Sequence, residues 1–350
     1  MGKLLGKITI LTFAFASIVI QVRSQTFENP GQYMDYIGKA NEKVTSMYLS
    51  YLSAVGHNKS ARKVDKRRQE VINTIYYTRV DIQGMAPWKG DRTLRDTSVA
   101  YFKLLYNVFN EDYAKIVNME EIAEQSYDAM EAYMLAQEKA GEKLVEATAK
   151  QQRTQKIFAD KYNVTLLEST SELDQKSKQA SELMKHYDEV YLIFFKAYKQ
   201  EGYLMDAIGK KNIIAIEQNK SALQKFAEEG MQKLKTLKGY NNDASLIVAC
   251  REALVFYKDE AEKAQFATDF LLKEEAFAKM KKAFDSKPAS KRTEKDIYDF
   301  NNGVNEINGA VNSYNNTNNQ FNKERDKILS KWNNAVKRYL DDYTPFQRKG

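Results

Sequence analysis

The sequence predicts an all-α protein: an elongated helical bundle, built as two tandem four-helix units with coiled-coil-like packing. Three observations carry this. The chain has 4 prolines in 350 residues, Pro30, Pro87, Pro288 and Pro345, and they stand between long breaker-poor stretches. Those stretches are rich in Ala, Glu, Lys, Leu and Gln, which lose little freedom on entering a helix. Strand signals are nearly missing, with no sustained alternation and no Asn-Gly turn between β-branched runs; Asn308-Gly309 falls inside a helical pattern.

Residues 1–24 read as an export signal. Lys3 and Lys7 give a positive start, Ile8 to Val22 is an almost unbroken apolar run, and Val22-Arg23-Ser24 offers branched and small residues to a signal peptidase. The run falls short of the roughly 20 residues a spanning helix needs. Cleavage between Ser24 and Gln25 is therefore expected rather than a retained anchor. No cysteine follows the run, which excludes lipoprotein anchoring there.

Eight helices are expected after it. Asn29-Pro30 caps and starts the first, which runs to about Gly56. The second spans Ser60 to about Gln83, and the stretch from Gly84 to Gly90 turns the chain. Asp91 caps the third, to about Phe109, and a long fourth runs from about Asp112 to Lys161. Asn163 to Thr170 reads as a linker, so the units fall at 25–165 and 170–345. The fifth helix spans Ser171 to Lys199 and the sixth Tyr203 to Lys238. Asp243 caps the seventh, to about Phe284. Pro288 breaks the pattern, and Thr293-x-x-Asp296 resembles a capping box opening the eighth, to about Tyr339.

The two halves look alike. Trp88-Lys89-Gly90-Asp91 aligns with Leu237-Lys238-Gly239-Tyr240, the glycines lying 149 positions apart, each before a helix rich in aromatics. The last helix carries the cleanest seam: Phe300, Val304, Ile307, Val311, Tyr314 and Asn318 step by fours and threes, and the pattern continues through Arg325 and Trp332. The fourth helix steps likewise at Ile116, Met119, Ala123, Ser126, Met130 and Tyr133. Polar Asn318 and Arg325 on an apolar seam either fix its register or, with Tyr314, mark a partner-facing stretch. The Asn-rich run 312–320 around them reads as a weakened or exposed point in the helix, because Asn competes for the backbone, with a ligand-facing surface as the lesser alternative.

Composition removes several chemistries. One cysteine, Cys250, gives no intramolecular disulfide, and its apolar setting reads as a buried thiol. His57 sits in a Gly56-His57-Asn58 turn and is expected to be exposed. His186 follows Glu182 by four residues, but a structural role outweighs metal binding at so sparse a site. Two histidines and one cysteine leave little material for Ser-His-Asp or Cys-His catalysis, and no phosphate loop or H-E-x-x-H motif occurs. No enzyme activity, cofactor or metal is expected. Net charge is +7, and +4 without Lys3, Lys7 and Arg23; the charges are interspersed, which argues against nucleic acid. The one cationic cluster is Lys59, Arg62, Lys63, Lys66, Arg67 and Arg68, a patch for an anionic surface such as lipopolysaccharide or phospholipid unless it is simply a wet helix face. The 22 tyrosines suit either a bundle rim or an interface.

Asn29-Pro-Gly-Gln-Tyr-Met-Asp-Tyr-Ile37 together with Trp88-Lys89-Gly90-Asp91 resembles a family of uncharacterised exported helical surface proteins of Gram-negative Bacteroidota and spirochaetes. The resemblance implies a cell-envelope location, in the periplasm, outer membrane or at the cell surface, and transfers no catalytic residues. The expectation is a non-enzymatic envelope protein that binds a macromolecule, a protein or an envelope component, through an elongated helical surface. The alternative is a helical protein that contacts membranes, related in architecture to helical pore-forming toxins, on the strength of the apolar Tyr191-Leu-Ile-Phe-Phe195 patch.

Overall fold

The computed structural model describes residues 26–57, 60–114, 122–166 and 172–345; the expected export signal and Lys59 lie outside them. Among the described residues the helices are α1 (Pro30–Gly56), α2 (Ala61–Gln83), α3 (Thr93–Asn107), α4 (Tyr127–Lys161), α5 (Glu172–Gly209), α6 (Ile213–Leu234), α7 (Ser245–Lys263), α8 (Gln265–Ser286) and α9 (Glu294–Tyr343). No strand occurs among these residues; the expected all-α bundle is what forms.

Local signals start these helices where the sequence places them. Asn29 accepts from the Gln32 backbone N–H at 2.9 Å, with Pro30 in the first turn. Thr293 and Asp296 close a full capping box on α9. Four expected boundaries move. Ser126, expected on the α4 seam, instead caps that helix by accepting from the Ala129 N–H, so α4 starts at Tyr127 and not near Asp112. α3 passes through a π-helical turn, Val108–Asp112, before that break. Gly202 does not end α5, which continues to Gly209 because Leu204 and Ala207 on the far side of Gly202 are buried in the core. The expected seventh helix bends at Ala264 into α7 and α8. The Asn-rich run does not interrupt α9, which is unbroken over its 50 residues, about 75 Å at 1.5 Å each, but it is an exposed stretch, with Asn312, Asn315, Asn316 and Asn319 on the surface.

Two apolar cores form. One lies among α1, α2, α3 and α4, around Tyr33, Ile37, Ile75, Phe102 and Phe158. The other lies among α5, α6, α7 and α9, around Leu204, Leu223, Leu254, Tyr257 and Trp332. Their registers agree. Val71, Ile75, Ile82, Leu94, Ser98 and Phe102 stand 152 positions before Leu223, Ala227, Leu234, Leu246, Cys250 and Leu254, and none of the twelve is more than 1 % exposed. The expected match of turns is out of step by three residues. The true counterpart of Trp88-Lys89-Gly90-Asp91 is Tyr240-Asn241-Asn242-Asp243. In both turns the two central residues have positive φ, namely Lys89 (49°) and Gly90 (86°), then Asn241 (49°) and Asn242 (65°). Asn tolerates that region where most side chains do not, so Gly and Asn do the same work. Both aspartates then accept from a backbone N–H two residues on, Thr93 at 2.8 Å and Ser245 at 2.7 Å.

The halves meet through α1 and α4 against α5. His57, expected to be exposed, is buried here: its side chain is 5 % accessible and its Nδ1 lies 2.7 Å from Asp341 of α9. Gly56 lets α1 approach Thr344 so closely that a Cβ would sit 2.6 Å from its hydroxyl oxygen. Met130, Met134 and Phe195 form a small third core at this seam.

Candidate functional site

A long α8–α9 hairpin breaks the correspondence between the halves. Tyr162 and Tyr343, which close the two units at the ends of α4 and α9, are 181 positions apart instead of 152. The second half thus carries 29 extra residues between its third and last helices, and they build this arm. Lys211, at the α5–α6 corner, pairs with Glu274 at 2.7 Å. Beyond that point α8 continues to Ser286, 12 residues or about 18 Å, with α9 as its neighbour. The arm's own interior is thin: Phe300 stacks on Phe284 at 4.2 Å and faces Phe277 at 6.0 Å. Gly303 lets the two helices close up, since a Cβ there would lie 2.6 Å from Met280 Sδ.

At the root of this arm three charged side chains are buried. Arg325 of α9 lies with its Nε 2.5 Å from Glu201 Oε1 of α5, and its Nη2 donates to Glu260 Oε1 at the end of α7. Nη1 donates to Asn322 at 2.5 Å, and Nη2 also points to Met205 Sδ at 3.3 Å. Glu201 is 5 % exposed and Glu260 2 %. Burial, and then the neighbouring Glu201 charge, push the Glu260 carboxyl up to about 7 against the pull of Arg325. Burial also raises Glu201, with Arg325 opposing. One guanidinium thus faces two carboxyls, both raised by burial. Glu260 Oε2 and the Tyr257 hydroxyl, both buried, have no hydrogen-bond partner among the described residues.

The register of the two halves says what the fold itself requires here. In the first helix of each half the offset is 153, since buried Ile37, Val44, Tyr51 and Ala54 match buried Val190, Ala197, Leu204 and Ala207, so Glu201 and Met205 match Tyr48 and Leu52. At 152 Tyr257 and Glu260 match Leu105 and Val108, and at 181, past the arm, Arg325 matches Leu144. The unit without an arm closes this layer with apolar and aromatic residues; the unit with an arm uses charge. The cluster ties α5 and α7 to α9 where that helix leaves the bundle.

The expected site residues divide as follows. Arg325 turns inward to the glutamates, and Tyr314, half-buried, stacks on Phe270 at 4.6 Å within the chain. Asn318 is half-buried on the same helix. In the cationic cluster, Arg67 pairs with Glu70 at 2.6 Å and Arg68 with Asp65 at 3.0 Å, and Arg68 also donates to the Phe109 carbonyl. Arg62, Lys63 and Lys66 remain exposed, so the patch is weaker than its residue count. Cys250 is fully buried, and burial pushes its thiol up. His186 is satisfied within the fold, accepting from Tyr339 at 2.8 Å and donating to the Lys238 carbonyl at 2.9 Å.

Sequence reasoning missed the arm tip. From Lys279 to Asp296 seven basic side chains stand against three acidic ones, a local net charge of +4. Lys282 and Lys291 are exposed with no ion-pair partner among the described residues. Ile297 and Tyr298, one turn into α9, are 46 % and 66 % exposed. The signal was visible as a charge run flanking Pro288, but it was absorbed into the reading of a simple helix break.

A shallow cleft of about 320 Å³ opens where α4 meets α5 and α6. Lys196 lines it, lying 4.2 Å from the Phe226 ring centre and 5.2 Å from that of Tyr127. Among the described residues no group of three metal-ligating side chains comes together, and no helix is long and apolar enough to cross a membrane. No family model, curated protein or solved structure matches the chain.

Proposed function

We propose that this chain is an exported, non-enzymatic envelope protein that binds a macromolecular partner through its helical surface, with the α8–α9 arm as the contact element. The observation that carries this reading is the 29-residue excess of the second half, folded into a projecting hairpin. A two-helix hairpin buries little apolar surface, and it gains less from packing than the same residues would inside a bundle. The matching registers of the two halves fit an internal duplication, in which one copy acquired the arm and the charged clamp at its root. The sequence-level export signal and envelope resemblance supply the location. The test is a variant in which residues 276–307 are replaced by a short Gly-Ser linker. The reading expects helix content lower only by the arm's own 25 helical residues (276–286 and 294–307), unchanged thermal unfolding of the bundle, and loss of retention by an isolated envelope fraction. Full retention by the armless protein would sink it.

A further inference from the structure

The charge on the arm is segregated along its length. The tip, 279–296, has a net charge of +4, while the flanking shaft, 264–278 with 297–311, carries five acidic and one basic side chain, net −4. Elsewhere the surface alternates its signs, as in Lys258-Asp-Glu-Ala-Glu-Lys263, where Lys258 reaches both Glu228 and Glu262 and Lys263 pairs with Asp259. At the tip, Asp285 and Asp296 are taken by Lys281 and Lys287, and Arg292 lies 4.2 Å over the Phe284 ring. Lys282 at the end of α8 and Lys291 in the connecting turn are left uncompensated. Beside them Ile297 and Tyr298 stand exposed, a branched apolar side chain and an aromatic with a polar tip.

We propose that the arm tip docks end-on to an anionic phospholipid surface. The inference rests on the arm being the contact element and names its partner class. Cations with no internal partner gain from a negatively charged interface. Tyr298 and Ile297 can seat at headgroup depth, where amphipathic rings settle. The shaft offers no such attraction, since Glu275 and Asp299 are paired with Lys279 and Lys295 and Glu274 with Lys211, so contact is confined to the tip and the bundle is held away from the surface. This is peripheral contact; nothing inserts across the bilayer.

The test is co-sedimentation of the full chain lacking residues 1–24 with phosphatidylcholine vesicles, with and without about a third phosphatidylglycerol, at about 0.1 M salt. The variant is Lys282→Glu with Lys291→Glu, at exposed positions that no core contact uses. Binding to the anionic vesicles alone is expected, weakened about tenfold or more by the double variant and by raising the salt to about 0.5 M. Equal partitioning into neutral vesicles would overturn the proposal. So would a double variant that binds like the parent. If the arm is needed for retention by the envelope fraction but neither vesicle is bound, the partner is another macromolecule: the lipid proposal fails and the arm's role survives.

Discussion

Replacing Arg325 by Met should expose the buried charge cluster as a source of both stability and pH dependence. In the parent, one guanidinium serves Glu201 and Glu260, which are almost fully enclosed. Removing it leaves two carboxyls buried with no cation. Breaking a buried pair from one side costs about 3–5 kcal/mol. At about 2–4 °C per kcal/mol, the melting temperature at pH 8 should fall by roughly 10 °C. The sign of the pH effect follows from the raised carboxyls. A carboxyl whose native value lies above its unfolded one binds more protons in the native state between the two. Stability then falls as pH rises through that window, from the ordinary carboxylate range to about 7 for Glu260. The variant's deficit should therefore be largest at pH 8 and shrink toward pH 5. The triple variant Glu201→Leu, Glu260→Leu and Arg325→Met restores the apolar character of the matching layer in the first half. It should be neutral or stabilised by about 1–4 kcal/mol. Thermal denaturation followed by circular dichroism at both pH values reads all three proteins. A single variant that loses under about 1 kcal/mol at pH 8, or a triple variant as damaged as the single one, would refute the reasoning.

Three further outcomes follow. Burial pushes Asp188 up to about 7; Asp188→Asn should raise the melting temperature at pH 8 and leave it unchanged at pH 5, checked by the same melts. Asp91 is held well below the usual carboxylate range by Lys161 and by the Thr93 backbone, and Tyr162 also donates to it at 3.1 Å. Asp91→Ala should cost about 1–2 kcal/mol in urea denaturation, a typical price for a lost cap. Gly303→Val should loosen only the arm, because the new side chain meets Met280 and Phe277; hydrogen exchange should speed up between residues 276 and 307 while both bundle cores stay protected.

The helices were legible because breakers are scarce and caps are explicit: Asn29, Thr293 and Asp296 act where their chemistry says they should. Boundaries failed where tertiary packing outweighed a local cue. Gly202 looks like a helix end, yet α5 runs on because Leu204 and Ala207 find the core. Ser126 looks like a seam residue, yet its hydroxyl does more good as a cap. The likeness of the halves was legible, but its register was not, since Asn241-Asn242 supplies the positive φ that a search for glycine overlooks. Arg325 on the seam stood out correctly as exceptional. Its partners did not, because Glu201 and Glu260 lie 124 and 65 positions away and each resembles an ordinary surface glutamate in sequence. The tip charge looks in sequence like part of a break between helices, and only the fold shows that Lys282 and Lys291 are left out of the ion pairs that occupy Lys279, Lys281, Lys287 and Lys295.

The most direct test of the central claim compares the full chain with the protein lacking residues 276–307 for retention by an isolated envelope fraction, after melts have shown that both bundles are intact. Retention of the parent and loss by the armless form is the predicted result. Equal retention of the two would contradict the claim and move the contact surface to the bundle itself.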